Sequence, residues 1–254
     1  MKNHNRETEG RENNLRVSGR NAVLEAFRAG RPFDRLIVEE RLKDPALFPV
    51  VEALKEKGVP VKTVPHERFR EMTGSENAQG VIAYIAAYAY ASVDDMLEKA
   101  REKGEAPFLI LLDGIEDPHN LGAIIRSAEQ AGAHGVVIPK DRSATLSETV
   151  ARTSAGALNY LPVARVTNLK RCAEELKEQG LWIVCADMDG ERMYDADLTG
   201  PIALVIGNEG AGVSRLMQKT CDRTISIPSF GHVDSLNASV AAGVLMYEIV
   251  RQRQ

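Results

Sequence analysis

Long apolar runs are what this 254-residue chain lacks most. The longest, Val81 to Ala91, is rich in alanine and tyrosine and falls well short of a bilayer span. Nor does the N-terminus carry an apolar core with a small-residue cleavage pattern, so a cytoplasmic protein is expected rather than a membrane or secreted one. Cysteine is scarce. Cys172, Cys185 and Cys221 are odd in number and at no metal-ligand spacing, which argues against a disulfide framework and for core thiols in a reducing compartment. Positive charge is not in excess either: the net charge is −4, which gives no sign of a broadly basic nucleic-acid binder. Internal repeats and low-complexity tracts are also missing.

What remains is ordinary globular composition, 44% hydrophobic and 27% charged. The charge is unevenly spread. Residues 1–88 hold 15 Lys+Arg against 13 Asp+Glu, and the remainder holds 17 against 23. A front half carrying Arg16, Arg20, Arg28, Arg31 and Arg35 permits contact with an anionic partner, although a solvated basic face explains the same residues.

Along the chain, residues 2–14 are polar without period and read as a disordered arm. A helix is expected from Ser18 to Gly30, a strand at 35–39, a helix capped by Asp44 with Pro45 in its first turn, a strand at 59–64, a helical turn at 66–72 and a strand at 80–88. Ser92 with Asp95 resembles a capping box, and Gly104 a stop, around a short amphipathic linking helix. Past Pro107, apolar strands at 108–113, 135–138, 161–166, 181–186, 202–206 and 223–227 alternate with helices at about 121–131, 147–157, 168–179, 213–220 and 235–251. That alternation predicts a mostly parallel sheet covered on both faces.

Three segments carry chemistry. In Leu112–Gly132 a strand ends at Asp113, Asn120 is placed to cap a helix, and Arg126 follows Ile124 and Ile125 on a helix otherwise built for burial. A buried guanidinium needs an anion, either a ligand or a carboxylate such as Glu129 or Glu209. In Ala203–Arg215 an apolar strand runs into Gly207, Gly210 and Gly212 around Glu209. This glycine loop lacks both the P-loop Lys-Ser/Thr and the dinucleotide fingerprint, and its carboxylate would repel a phosphate. It suits an uncharged polar edge such as adenine approached by bare backbone, or a tight turn with no ligand. In Ile225–Glu248 a strand and a glycine turn precede a helix opening with Ser235, Asn237 and Ser239, where backbone N–H groups lack helical partners. Together the three place Asn120, Arg126, Glu209, Ser235 and Asn237 near the C-terminal strand ends, where open α/β sheets bind ligands. His119 reads as a loop-shaping neighbour, and no ligand set for a metal stands out.

In this order, Asn120–Arg126, Ile206–Arg215 and Ile227-Pro228 followed by Ser235–Ala241 resemble the three motifs of the SpoU (TrmH) family of RNA ribose 2′-O-methyltransferases. The resemblance covers residues 107–251. Residues 15–88, including Val17–Ala26, look like the substrate-binding domain of one branch, with a fold similar to ribosomal protein L30e. It implies an α/β chain with a C-terminal trefoil-knot (SPOUT) domain at 107–254, a smaller N-terminal L30e-like domain at 15–88, a linker at 89–106 and an arm at 1–14. It further implies S-adenosylmethionine as methyl donor and a homodimer through the knotted domains. Gly207, Ile227 and Leu236 would hold the cofactor through backbone groups, while Asn120, Arg126, Glu209, Ser235 and Asn237 match the polar active-site positions. The layout is most like the branch acting on a guanosine in the peptidyl-transferase P loop of 23S rRNA, free or in an assembly intermediate. A tRNA or other rRNA methyltransferase, or a non-catalytic RNA-binding factor, is the alternative. One departure is Ser229-Phe230, where many relatives carry methionine after the proline; the pair is expected to alter packing around the adenine.

Overall fold

The computed structural model describes residues 15–254 except 41, 43, 86–87 and 233–234. The expected arm at 1–14 lies outside the described residues. The first part of the chain forms β1 (Leu15–Ser18), α1 (Arg20–Arg28), β2 (Phe33–Glu39), α2 (Phe48–Glu56), β3 (Val61–Val64), α3 (His66–Thr73) and β4 (Val81–Ile85). Its four strands pair in the order β1-β4-β2-β3, with only β2 and β3 parallel. Period-2 alternation sorts β4 between two cores: Val81, Ala83 and Ile85 pack with Val23, Val50 and Leu54 of α1 and α2, while Ile82 packs with Phe69 of α3.

The second part continues with α4 (Val93–Lys103), β5 (Phe108–Asp113), α5 (Pro118–Gln130), β6 (Gly135–Pro139), α6 (Glu148–Thr153), β7 (Val163–Val166), α7 (Leu169–Glu178), β8 (Trp182–Arg192), β9 (Ile202–Gly207), α8 (Arg215–Gln218), β10 (Arg223–Ser226) and α9 (Ala238–Arg253). Six parallel strands pair in the order β10-β8-β9-β5-β6-β7. The uninterrupted apolar run of β5 follows from burial on both faces. Phe108, Ile110 and Leu112 join the layer of α5, α6 and α9, and Leu109 and Leu111 join that of α4 and α7. The Ser92 capping box and the left-handed Gly104 bound α4, which buries Met96, Leu97 and Ala100 against the parallel sheet.

Several expected boundaries move, each for a local reason. Leu15–Ser18 pairs with β4, so the first helix begins only after Gly19. Asp44 bonds the Ala46 amide in a turn (2.9 Å), and the next helix starts at Phe48 with Pro49 in its first turn. The helix expected from 147 to 157 stops at Thr153, because Ala155 and Gly156 take left-handed φ values of 49° and 91°. Asn120 is not a cap: Asp117 takes that place, accepting from the His119 amide (2.9 Å) ahead of Pro118.

The two sheets meet at a buried polar seam. Asp34 of β2 is 1% exposed and pairs with Arg165 of β7. Arg165 also donates to the Asp34 carbonyl (2.9 Å) and to the Lys140 carbonyl (3.0 Å). The Tyr90 hydroxyl accepts from the Leu146 amide (3.1 Å) and donates to Asp34 (3.4 Å), while Lys140 donates to the Gly58 carbonyl. Burial pushes the Asp34 carboxyl up, against the pull of the Arg165 and Arg35 guanidiniums.

His134 makes stability pH-dependent. Its Nδ1 accepts the Phe108 amide (3.1 Å), which leaves Nε2–H to donate to Glu105 (3.1 Å). Burial holds its pKa below the ordinary 6.5, with Glu105 opposing. A depressed histidine contributes stability that is fully present above the unfolded value and is lost as pH falls through the folded one. The urea midpoint is therefore expected to drop between about pH 7.5 and about pH 5.5. In His134→Asn, whose Oδ1 can still accept, that drop should shrink measurably.

Candidate active site

Three strand ends build the site. β9 ends at Gly207, and the chain turns back so closely that Asn208 and Gly212 exchange both backbone hydrogen bonds (3.0 and 2.9 Å). A Cβ at Gly207 would fall 2.1 Å from the Gly212 carbonyl carbon, so no other residue fits without moving backbone. The Asn208 side chain fastens the loop: Oδ1 accepts from the Gly210 amide (2.9 Å) and Nδ2 donates to the Gly114 carbonyl beyond β5 (2.9 Å). Asp113, at the end of β5, accepts from the Ser214 amide at 2.8 Å. Both ties cross between neighbouring parallel strands, which is why the two loops share one edge.

The convergence predicted from the three segments is realised in Asn120, Glu209 and Asn237. Glu209 Oε1 accepts from Asn120 Nδ2 (2.9 Å) and from Asn237 Nδ2, whose other proton goes to Asn120 Oδ1 (3.0 Å). Asn237 Oδ1 caps α9, accepting from the Ser239 and Val240 amides (3.0 and 3.3 Å). The helix thus begins at Ala238, later than expected, and Ser235 lies in the loop before it. Every proton of the Asn237 amide has a partner, so its orientation is fixed on both sides.

Beside this triad opens a cavity of about 900 Å³, lined by Gly207, Glu209, Ile227, Ser235 and Leu236 among others. Its floor is apolar and buried, with Ile206, Ile225 and Ala238. Arg126 is not brought there. It lies six residues beyond Asn120, about 9 Å along the axis. It is exposed, does not line the cavity, and makes no hydrogen bond or ion pair with the described residues. The expected burial of this guanidinium is corrected, and the alternative of a pair with Glu129 or Glu209 is not found: Ile124 and Ile125 face the core, and Arg126 takes the open face of α5. Phe230, the departure noted in the sequence, lies at the cavity rim with its ring 95% exposed.

One contributor escaped sequence reasoning. The Ala186–Met188 stretch walls the cavity, because β8 runs on beyond Cys185 and its register with β10 breaks between Thr224 and Ile225. The polar run Asp187-Met-Asp-Gly-Glu191 after an apolar strand was the available signal. Of the front arginines, Arg16 and Arg20 pair with Glu76 and Asp44, Arg28 pairs with Glu25, and Arg35 stacks on Tyr84 (4.1 Å).

Residues 107–247 match the SpoU rRNA methylase family, and residues 16–91 match a family described as RNA 2′-O ribose methyltransferase substrate binding. The chain belongs to the SpoU rRNA methylase family. As such it is a methyltransferase, and Asn120, Arg126, Glu209, Ser235 and Asn237 all fall inside the match. It is 47% identical over 238 residues to YacO of Bacillus subtilis, which is named for the TrmH family of tRNA/rRNA methyltransferases, covering 93% of this chain and 95% of YacO. Among solved structures it resembles the SpoU methyltransferase AviRb from Streptomyces viridochromogenes in complex with AdoMet, at TM-score 0.58 and 30% identity, covering 98% of this chain and 94% of AviRb. An AdoMet-bound rRNA methyltransferase from Sinorhizobium meliloti aligns with TM-score 0.58 and 25% identity over 94% of this chain and 87% of its own.

In this SpoU methylase the Gly207 contact sets the loop. Gly207→Ala should force Gly212 away, cost about 1–3 kcal/mol of stability by overpacking, and speed amide exchange at Asn208 and Gly212. Unchanged exchange at those two amides would show that the turn tolerates a side chain.

Proposed function

We propose that this SpoU methylase transfers the methyl group of S-adenosylmethionine to the ribose 2′-hydroxyl of a guanosine in the P loop of 23S rRNA, acting on free rRNA or on an assembly intermediate in the cytoplasm. The meeting of Asn120, Glu209 and Asn237 beside a glycine-walled cavity carries the reading. In this reading residues 15–88 bind RNA, 89–106 link, and 107–254 carry the chemistry.

Gly207, Ile227 and Leu236 present backbone to the cofactor. The bare backbone at Gly207 fits a flat heterocycle, and the Ile206–Ile225–Ala238 floor fits its apolar face. The bound sulfonium supplies an already activated methyl group. The chain's own work is to orient a poor nucleophile and ease its proton away. Asn120, Ser235 and Asn237 position the nucleotide, and Glu209 holds both asparagine amides. Arg126 stabilises the developing alkoxide and orients the adjacent phosphate, a role open to a group that stays cationic.

The exposure of Arg126 is understood in a homodimer. α9 buries Leu245, Met246 and Ile249 yet leaves Val240 and Tyr247 about half exposed beside α5. Pairing two copies through this face covers that apolar surface and lets Arg126 of each protomer serve the cavity of the other.

Labelled methyl transfer to 23S rRNA and to bulk tRNA, with mapping of ribose methylation, tests the reading. One modified guanosine in the 23S P loop is expected; modified tRNA instead would move the target, and no transfer to any RNA would overturn the activity. Arg126→Ala should keep cofactor affinity and lose about 100- to 1,000-fold in turnover. Mixing Arg126→Ala with Glu209→Ala protomers should restore part of the activity; no recovery would place Arg126 in its own subunit's site.

A further inference from the structure

Among the described residues six large aromatic side chains stand more than half exposed: Phe48, Tyr160, Trp182, Tyr194, Phe230 and Tyr247. Phe230 alone among them lines the cavity. It sits in the loop between β10 and α9, 95% exposed, and it has no hydrogen-bonding atom to justify that exposure. Its neighbours at the rim, Met188 (68% exposed) and Leu236 (47% exposed), are apolar as well.

The cavity interior does not need this ring. Ile206, Ile225 and Ala238 already give the floor a buried apolar surface, and the loop at Gly207 offers bare backbone. A ligand seated on that floor leaves Phe230 facing outward. What must cross the rim for a ribose to reach the cavity is a nucleotide taken out of its stack, and the face of an unstacked base is what an aromatic side chain binds.

Resting on the ribose methylation reading above, we propose that Phe230 is a substrate-positioning residue that stacks on the base carried by the target ribose. Stacking is tolerant of base identity, so the ring holds the nucleotide at the rim without reading its sequence. The polar triad then meets the sugar from a fixed direction.

A double-mutant cycle tests this, using the RNA that the wild-type enzyme methylates and the same RNA made abasic at the target nucleotide. Phe230→Ala should raise KM for the intact RNA between about 5- and 150-fold, the stacking increment of one base. It should leave kcat and the S-adenosylmethionine Kd within about twofold, and Phe230→Trp should restore KM. On the abasic RNA, Phe230→Ala should have no further effect, because the partner is already gone. Equal KM for wild type and Phe230→Ala, additive losses on the abasic RNA, a weakened cofactor Kd, or a dimer lost on substitution would each overturn the inference while leaving methyl transfer intact. A wild-type enzyme that methylates no RNA would overturn the functional reading itself, and this inference with it.

Discussion

The Glu209 carboxylate, accepting amide protons from Asn120 and Asn237, is the constraint on which the rest of the site depends. It joins residues that lie 89 and 28 positions away in the chain. Each partner has a second obligation. Asn120 sits in the first turn of α5, and Asn237 caps α9, so one carboxylate fixes the starts of two helices as well as the glycine loop. Charge-assisted hydrogen bonds are shorter and stronger than neutral ones, which suits a junction made of so few atoms. The same arrangement explains why a negative charge stands in a loop that otherwise looks ready to cradle phosphate: its office is toward the asparagines.

The parallel sheet makes that junction possible. β5 and β9 are neighbours in register from Phe108–Ile202 to Asp113–Gly207, so their ends deliver the two loops to one edge. Side-chain ties then lock the loops together: Asn208 Nδ2 donates to the Gly114 carbonyl, and the Asp113 carboxylate accepts from the Ser214 amide. Positioning is therefore done largely by main chain, amide and carboxylate groups, while the proposed catalytic cation, Arg126, makes no hydrogen bond or ion pair with the described residues. A hydrogen-bonded polar scaffold and an exposed cation on α5 thus stand apart in the structure.

Much of this was legible in the residues, and the reasons for the rest are physical. Alternation of apolar strands with helices gave the parallel sheet because both faces are buried, as in Phe108–Leu112. Gly207 spoke plainly, since an apolar strand ending in repeated glycines needs a close backbone approach. Arg126 misled: its neighbours are buried, but one helical step turns the side chain to the open face. Asn120 misled as a cap because Asp117-Pro118 supplies a stronger start three residues earlier. The Ala186–Met188 wall was hidden because a register break between parallel strands leaves no local pattern. The trefoil-knotted path implied by the family resemblance is equally silent in periodicity.

The Asp34–Arg165 pair joins residues 131 positions apart, and neither sheet can shift along the seam without stranding a charge away from water. A stranded buried charge costs several kcal/mol, more than a typical interdomain contact can lose. A charged, hydrogen-bonded pair thus helps to fix the angle between the two sheets. The front sheet is thereby held at a set span from the Asn120–Glu209–Asn237 junction. A swing of one sheet against the other would first have to break a buried ion pair.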